Sequence, residues 1–509
     1  MQKALIIGSG LGGLATALRL STRGYQVEIV EKHHQAGGRL NQISKDGFTF
    51  DTGPSFFSMS YEFDELFKDC GISNPLQMNE LDPVYTVYFS GRKDPFFIHK
   101  DLKKLAKEFE GIEDDFENKA RAYLKQAGEL FHDTEHVIVK RNYDSLIQYA
   151  KSLLQVPLKH SPLLIRNMWQ ELNRRFDSQE VKVIFSLVAF FLGDTPFQTP
   201  AVYSLLNYTE LQHDGYYNIQ GGMYKIVEEI TKILLERGVK FHFNTEIIAI
   251  EQAQNKNGKQ NEIVAFIDQN KKRWTADFYV CNSDAASFRG QILNRPKYSE
   301  KKLDKMHWTL APFTIYLGVQ GRVENLHHHN YFLGENFEDY ASKIFKTSIN
   351  PEKPYYYVNA LSKSNDNCAP KGCENLFILC PVPDLRFKPD WSDKEALAKN
   401  ILEDLSQRVD FDLIGNTLTQ TIYDPIDWQN KFNLYRGSGL GLAHGLNQVA
   451  ALRPKNKDEQ FKNLYYVGAS TTPGTGLPIV VIGSKLVTER IEKDYATSDA
   501  TIQRGVQQM

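Results

Sequence analysis

The sequence predicts an α/β protein with a Rossmann-like nucleotide-binding domain, a second domain built on a mixed sheet, and a helical subdomain. Three observations lead to this fold class. The chain opens with an apolar strand, a glycine-rich turn and a helix; it carries long helical patterns from about 101 to 211; and it closes with another apolar strand followed by glycines. Because 509 residues exceed what one hydrophobic core usually holds, we expect two or three structural units.

The composition is that of a globular protein without nucleic-acid-binding character. Hydrophobic residues make up 41% and charged residues 24% of the chain, which is ordinary. The formal net charge of −2 argues against a nucleic acid partner, because neutralising phosphates requires a basic excess. The five cysteines do not form a disulfide framework, and we predict no metal site. The consecutive His327, His328 and His329 cannot share one face of a regular element and are expected in a polar loop.

The first thirty residues are predicted to form one βαβ unit. Residues 4–7 are a short continuous apolar run, as expected of a buried parallel strand. Residues 8–13 form the turn, residues 14–23 have helical periodicity that ends at Gly24, and residues 26–31 form the second strand.

The turn has the spacing of a dinucleotide-binding site. Gly8 permits a tight turn off the strand, Gly10 lets the backbone approach a pyrophosphate, and Gly13 lets the helix pack close to the sheet. The free N–H groups of the helix N-terminus would then face the phosphates. Glu31 stands 18 residues after Gly13, at the end of the second strand, where its carboxylate can accept both ribose hydroxyls. An acidic residue there disfavours a 2′-phosphate, so NADP is not expected.

The remaining elements are predicted from similar patterns. Gly221 and Gly222 precede a helix at 223–237, which leads into a strand at 239–243. Strands within 262–281 end at Cys281, Asn282, Ser283 and Asp284. The clearest strands of the second unit are 313–319, 355–361 and 376–380, and a last strand at 464–467 precedes glycines and a helix near 483–491.

Several further motifs resemble the superfamily of FAD-dependent amine oxidases and carotenoid desaturases. They are Gly37-Gly38-Arg39 after the ribose-binding acid, Asp51-Thr52-Gly53-Pro54-Ser55, Gly221-Gly222 before a helix, Asn244-Thr245-Glu246-Ile247 after a strand, and Val467-Gly468-Ala469 with Pro473-Gly474-Thr475-Gly476-Leu477-Pro478. The resemblance implies a fold of the amine oxidase/GDI type with FAD as the cofactor. It also implies that Arg39 lies near the cofactor phosphates, which suits a fixed guanidinium, that the backbone of Ile247 holds the adenine edge, and that the C-terminal glycines pass under the flavin ring.

The resemblance gives the residues expected to bind FAD and the division of the chain. The cofactor-binding residues are expected to be Gly8, Ser9, Gly10, Leu11, Gly12, Gly13, Glu31, Lys32, Gly38, Arg39, Leu40, Gly53, Pro54, Ser55, Ile247, Asn282, Asp284, Gly468, Ala469, Gly476, Leu477 and Pro478. A discontinuous FAD-binding domain is expected at 1–90, 215–300 and 455–509, a substrate-binding domain at 91–139 and 301–454, and a helical subdomain at 140–214.

Two segments look closely like bacterial phytoene-type desaturases. They are residues 47–56, with Glu62, Leu66 and Phe67 behind them, and residues 445–454 ahead of the last strand. Among these enzymes, the overall sequence resembles most the 3,4-desaturases of γ-carotene-type or 1′-hydroxylated carotenoids. The C-terminal motif carries Ser470, Thr471 and Thr472 and no cysteine, which argues against a tethered flavin.

The implied reaction is desaturation of a carotenoid. An allylic C–H gives a hydride to the flavin N5, and loss of a neighbouring proton forms the new C=C bond. The cofactor carries the redox chemistry, while the protein orients the substrate and keeps the site dry. No catalytic residue is assigned from the sequence; His444 and Asp427 are the candidates for a base.

Other functions share these motifs and stay open. They are a multi-step phytoene or ζ-carotene desaturase, a carotenoid isomerase or oxygenase, and a flavin amine or porphyrinogen oxidase. A non-enzymatic alternative is a lipid carrier like the GDP-dissociation inhibitors, which resemble the fold but lack flavin. The carrier is disfavoured because the residues expected to bind FAD are present, namely the glycine turn, Glu31 and the C-terminal glycines.

The substrate implied by the resemblance makes a membrane surface an expected partner. The N-terminal residues show no signal-peptide pattern and no stretch of 18 apolar residues occurs, so we expect a cytoplasmic protein attached peripherally to the inner face of the cell membrane. Residues 140–182 interleave leucines, Met168 and Trp169 with lysines and arginines. Such a pattern is typical of an interfacial helix, although an ordinary helix packed on its own core has the same pattern.

Overall fold

The computed structural model describes residues 1–253, 261–346 and 353–506, with side chains described as far as residue 495. In these ranges the strands are β1 (Lys3–Ile7), β2 (Gln26–Val30), β3 (Gln42–Lys45), β4 (Phe48–Asp51), β5 (Met78–Glu80), β6 (Tyr85–Phe89), β7 (Phe96–Ile98), β8 (Tyr217–Ile219), β9 (Lys240–His242), β10 (Ile247–Ala253), β11 (Glu262–Asp268), β12 (Arg273–Trp274), β13 (Phe278–Cys281), β14 (Ala311–Gln320), β15 (His329–Leu333), β16 (Tyr356–Asn359), β17 (Cys373–Val382), β18 (Thr417–Tyr423) and β19 (Leu464–Tyr466).

The α-helices of the same ranges are α1 (Leu11–Thr22), α2 (Ser60–Asp69), α3 (Leu102–Glu108), α4 (Phe116–Thr134), α5 (Leu146–Leu153), α6 (Ser161–Ile165), α7 (Met168–Leu172), α8 (Gln179–Ser186), α9 (Val188–Phe191), α10 (Leu205–Tyr208), α11 (Lys225–Glu236), α12 (Ala285–Ser287), α13 (Glu300–Leu303), α14 (Phe337–Lys343), α15 (Lys394–Val409), α16 (Pro425–Phe432) and α17 (Leu477–Val506). Short 3₁₀ and π-helical turns join several of them.

A parallel five-stranded sheet holds the two ends of the chain together. Its order is β19-β13-β1-β2-β9, and every neighbouring pair is parallel. The central strands are continuous apolar runs because both faces of the sheet are covered, so that almost none of their residues face water. Helices α1, α11 and α17 pack on one face, and strands β10, β11 and β12 pack on the other. The predicted α/β class with a Rossmann-like unit is confirmed.

Helix α1 begins earlier than the sequence predicts, at Leu11 and not at residue 14. Gly10 is its N-cap residue, with an extended backbone (φ −66°, ψ 168°), so the turn between β1 and α1 takes only residues 8–10. Gly12 and Gly13 therefore lie in the first helical turn, where their lack of a side chain lets the helix approach the strands. The last helix also begins early: α17 starts at Leu477, directly after the glycines, and not near residue 483.

A seven-stranded mixed sheet forms the second layer, in the order β18-β14-β17-β16-β15-β6-β7. The three predicted strands of this unit are β14, β16 and β17, and their pairing is antiparallel. Strand β6 pairs in parallel with β15. Residues 85–89, which the division at residue 90 assigns to the FAD-binding domain, lie in this sheet.

The predicted interfacial helix at 140–182 is wrong in its form. The segment is broken into α5, α6, α7 and the start of α8, with turns between them. Met168 and Trp169 are buried, and the Trp169 ring packs against Phe197 and Phe337 at centroid distances of 5.1 and 5.6 Å. The burial of Trp169 could not be predicted from periodicity, because the residues that pack against it lie in distant parts of the chain. In the described ranges no helix is long and apolar enough to cross a membrane.

Candidate functional site

One large cavity connects the two sheets and the helical layer. It has a volume of about 1180 Å³ and begins at the carboxyl edge of the five-stranded sheet. From there it continues to the face of the seven-stranded sheet that carries Tyr331, Tyr357 and Phe377, and to helix α5. Ligands of open α/β sheets bind at this carboxyl edge, so the position is the expected one.

The glycine turn surrounds the side chain of Asn282, which follows β13. A Cβ atom on Gly10 would lie 2.7 Å from Asn282 Nδ2, and one on Gly12 would lie 2.6 Å from Asn282 Oδ1. Gly468, from the segment after β19, would bring a Cβ to 2.9 Å of the same Oδ1. Gly8 has a φ of +92°, a conformation that favours glycine. Three separate segments thus meet around one amide, and their glycines leave the room that this amide occupies.

Glu31 is held in place by the turn that it faces. Its Oε2 accepts hydrogen bonds from Ser9 N (2.7 Å) and Ser9 Oγ (2.8 Å), and its Oε1 accepts one from His33 N (3.0 Å). The carboxylate borders the cavity, so its position beside the turn is fixed by the protein. The neighbouring Lys32 also borders the cavity, and burial lowers its pKa while Glu246 and Glu31 oppose that shift.

Arg39 and Asp284 also border the cavity. Arg39 Nη1 donates to the carbonyl oxygen of Gly439 at 2.9 Å, and burial lowers the arginine pKa while Asp284 opposes that shift. Burial raises the pKa of the Asp284 carboxyl, which accepts a hydrogen bond from Ser470 Oγ at 2.8 Å. This pair places a cationic and an acidic group beside the carboxyl edge of the sheet.

The structure brings together almost all of the residues predicted to bind the cofactor. Every one of them borders the cavity except Ser9 and Gly13, which lie behind the turn. Ser9 is fully buried and fixes Glu31, and Gly13 packs against the carbonyl oxygen of Gly8. The site thus fits a bound dinucleotide, because the glycine turn after β1 and the fixed carboxylate of Glu31 after β2 both border the cavity.

The two candidate bases differ in position. His444 borders the cavity, and its Nε2 accepts a hydrogen bond from Thr475 N at 3.3 Å. Burial, and then Arg453, holds the His444 pKa well below its usual range. Asp427 lies elsewhere, in the first turn of α16, where its carboxylate accepts a hydrogen bond from Asp424 N at 3.2 Å and helps to cap the helix.

An aromatic cluster around Phe56 forms the inner wall of the cavity. The Phe56 ring lies 4.6 Å from Phe191, 4.9 Å from Tyr216 and 5.0 Å from Tyr357, measured between centroids. It also stacks on His329 at 4.0 Å. Sequence reasoning missed this wall, because its residues come from five distant segments and show no shared motif.

The prediction of a polar loop at 327–329 is correct in conformation for His327 and His328 and wrong for His329. His328 and His329 are buried, and His329 opens strand β15. The imidazole Nδ1 of His329 lies 2.6 Å from the hydroxyl of Tyr357, which in turn accepts a hydrogen bond from Ser55 Oγ at 2.8 Å. Burial, and then His328, holds the His329 pKa well below its usual range, so the imidazole is neutral. Neighbouring strands supply the partners that the local sequence does not indicate.

A second buried polar group lies behind the aromatic wall. Glu210 is fully buried, and among the described residues neither carboxyl oxygen has a partner with hydrogen-bond geometry, although Tyr85 and Asn207 lie beside it. Burial raises the pKa of this carboxyl from an ordinary 4.5 to about 8. At neutral pH the group is therefore a neutral acid.

The cavity reaches the surface among exposed leucines. Its lining includes Leu153, Leu158 and Leu164, which are 43%, 87% and 48% exposed. Together with their exposed neighbours they form what we call the apolar rim: Leu146, Ile147, Leu153, Leu154, Leu158, Leu164 and Ile165. Two of the basic residues within this segment already have acidic partners, since Lys159 pairs with Glu129 at 2.7 Å and Arg166 with Glu171 at 2.9 Å.

Comparisons with known proteins agree with this geometry. The sequence model of a family described as flavin containing amine oxidoreductase matches residues 11–491. The chain is 32% identical to a ζ-carotene-forming phytoene desaturase of Myxococcus xanthus over 494 residues, which cover 96% of this chain and 94% of that protein. It is 31% identical to a 1-hydroxycarotenoid 3,4-desaturase of Flavobacterium sp. P99-3, with 97% of this chain and 100% of that protein covered.

Solved structures show the same fold at low sequence identity. An oxidoreductase from Methanosarcina mazei superposes with a TM-score of 0.62 at 18% identity, covering 96% of this chain and 100% of that one. A putrescine oxidase variant superposes with a TM-score of 0.63 at 13% identity, covering 98% and 99%.

Replacing Glu210 by glutamine tests the state of this buried acid. The raised pKa means that the folded protein holds a proton which the unfolded chain releases, so the free energy of unfolding should fall as the pH rises from about 4.5 to about 8. Glu210→Gln removes this contribution, and the difference between wild type and variant should change by roughly 1.4 kcal/mol per pH unit within the window. Denaturant unfolding at several pH values measures it; equal pH dependence in both proteins would show that Glu210 is ionised in the fold.

Proposed function

Since this chain belongs to the flavin-containing amine oxidoreductases, in their carotenoid desaturase group, we propose that it is an FAD-dependent enzyme that introduces C=C bonds into a carotenoid. The observation that carries the proposal is the continuity of the cavity. Its volume of about 1180 Å³ exceeds the roughly 300–1,000 Å³ of most small-molecule sites, as a cofactor and a long substrate together require.

We assign one part of the cavity to FAD and the other to the carotenoid. Gly8, Gly10 and Gly12 border the part proposed for the FAD pyrophosphate, with Arg39 nearby, and Glu31 is positioned to accept the ribose hydroxyls. FAD, when bound, supplies the hydride acceptor. The aromatic wall around Phe56 offers flat apolar surfaces against which a polyene can pack.

At the level of the reacting bond, we propose 3,4-desaturation of an acyclic end. The support is the general similarity in residues 47–56 and 445–454, together with the 31% identity to a protein named as a 1-hydroxycarotenoid 3,4-desaturase. Proteins named as phytoene desaturases match equally well, so repeated desaturation of phytoene is the alternative.

We further propose that the apolar rim contacts the surface of a membrane, where a carotenoid is dissolved. Leu154, Leu158 and Ile165 are 86%, 87% and 85% exposed, which is costly in water and favourable in lipid. Because Leu158 also lines the cavity, a substrate could pass from lipid into the protein without crossing water. With Lys159 and Arg166 already paired, apolar area should contribute more to binding than attraction to anionic lipid.

Pigment analysis tests the proposed reaction. The chain is expressed in cells that make lycopene, γ-carotene or their hydroxylated forms, and in cells that make phytoene. We expect the absorption maxima of the first group to shift to the red, because each new C=C lengthens the conjugated system. Coloured products from phytoene would favour the alternative, and unchanged pigments in every strain would contradict desaturation.

Gly10→Ala tests the cofactor site. The new Cβ would lie 2.7 Å from Asn282 Nδ2 and would displace this amide at the edge of the cavity, so we expect the dissociation constant of FAD to rise at least tenfold, equivalent to about 1.4 kcal/mol. Flavin content of the purified protein and titration of the apoprotein with FAD measure this. The control is Gly24→Ala, which strains a residue at φ +81° with no neighbour within 4 Å of the new Cβ. Wild-type affinity in the Gly10 variant would contradict the assignment.

A flotation assay with vesicles tests the apolar rim. Replacing Leu158 and Ile165 together by serine should lower vesicle binding at least tenfold, because a fully buried leucine contributes about 1.5–3 kcal/mol. Neutral and anionic vesicles should behave alike. The matched control replaces Leu235 and Ile414, which are 57% and 43% exposed outside the rim, by serine and should bind as wild type does. Equal loss in both variants would mean that the rim has no special role.

A further inference from the structure

We propose that Ser55, Tyr357 and His329 form a proton relay that receives the proton lost by the substrate. The proposal rests on the proposed desaturation, which releases one hydride and one proton for each C=C formed. FAD, when bound, would supply the hydride acceptor, so the proton needs a separate acceptor. The relay is a chain of hydrogen bonds that begins at the cavity surface and ends at a buried imidazole.

The first member of the relay is accessible from the cavity. Ser55 borders the cavity directly after Gly53 and Pro54, in a segment expected to bind FAD. Its hydroxyl donates to Tyr357 Oη at 2.8 Å, so the lone pairs of Ser55 Oγ are left to accept a proton from a bound molecule. Tyr357 stands on β16 and borders the cavity as well, with its ring on the wall next to Phe56.

The last member of the relay is a neutral imidazole whose Nδ1 has the Tyr357 hydroxyl as its nearest partner. His329 Nδ1 lies 2.6 Å from Tyr357 Oη, which already accepts from Ser55 and can therefore donate its own proton to Nδ1. Asn359 Nδ2 approaches the same nitrogen at 3.4 Å. The other ring nitrogen, Nε2, is buried and has no hydrogen-bond partner among the described residues, which fits a ring held for its Nδ1 contact.

The burial of His329 suits this particular reaction. A base in an apolar site keeps its lone pair because the charged form is disfavoured there. Such a base is weak, but a carbon next to a polyene cation is strongly acidic, so a weak base that is never protonated beforehand is sufficient. Phe56, stacked on His329 at 4.0 Å, can stabilise the imidazolium through its ring face.

Two C–H bonds on adjacent carbons of the substrate break in this step. FAD, when bound, would supply the acceptor for the hydride of the first bond, and the second bond leaves its electron pair in the new C=C. Ser55 Oγ takes this proton as its own moves to Tyr357 Oη, and the Tyr357 proton moves to His329 Nδ1. The reverse shift returns the proton to water in the cavity after the product leaves.

Single-turnover experiments on the FAD-loaded protein test the relay. Loss of flavin absorbance reports the hydride step, and growth of the longer polyene's absorption reports product formation, both in water and in deuterium oxide. For wild type we expect product formation to be slower in deuterium oxide, because relay hydroxyls exchange with solvent while the substrate C–H bonds do not. Tyr357→Phe and Ser55→Ala should slow product formation by roughly 10²-fold, the lower range for general base catalysis, and should abolish its solvent isotope effect.

Matched variants separate the relay from structural damage. Ser55→Thr keeps the hydroxyl and should retain the solvent isotope effect. Tyr88→Phe removes a hydroxyl from the opposite face of the same sheet and should leave both readouts unchanged. His329→Gln should resemble Tyr357→Phe. Flavin content, measured for each variant, excludes loss of cofactor as the cause.

The possible failures are distinguishable. If no carotenoid reduces the flavin of the wild type, the proposed function fails. If the wild type reacts while Ser55→Ala and Tyr357→Phe keep its rate and its solvent isotope effect, the function stands and the relay is wrong.

Discussion

The close approach of three backbone segments around Asn282 is the constraint on which the rest of the structure depends. The turn after β1, the end of β13 and the segment after β19 can meet only because Gly10, Gly12 and Gly468 leave room for that one amide. Their meeting aligns the carboxyl ends of three parallel strands and joins the first residues of the chain to the last domain segment. The cavity starts at this edge, and both sheets are arranged around it.

The nucleotide-binding edge could be predicted from the sequence because its determinants are local. A nucleotide-binding turn is indicated by glycines at fixed spacing, a following acidic residue and short apolar strands, and this pattern does not depend on the rest of the chain. The same holds for β14, β16 and β17, whose apolar runs are long enough to indicate strands. The resemblance then supplied more distant members such as Asn282 and Asp284, which no local pattern marks.

The inner wall and the helical layer could not be predicted in this way because their properties come from tertiary partners. Trp169 has the sequence surroundings of an interfacial residue, yet Phe197 and Phe337 bury it. His329 belongs to a run of histidines that predicts a polar loop, yet β16 and the segment at 55–56 bury it. Glu210 looks like any surface acid in a helical stretch, and only the fold makes it a neutral one.

The double role of Leu158 at the surface and in the cavity has a consequence for how this protein would meet its substrate. A molecule that enters from a bilayer is counted per unit area, so the encounter rate depends on how crowded the membrane is with carotenoid and not on the volume of the cell. On the proposed contact, diluting the substrate with additional lipid would slow turnover even when the total amounts of enzyme and substrate are constant. Turnover measured in detergent would then reflect the amount of carotenoid per unit volume, whereas turnover measured in vesicles would reflect its amount per unit area of membrane.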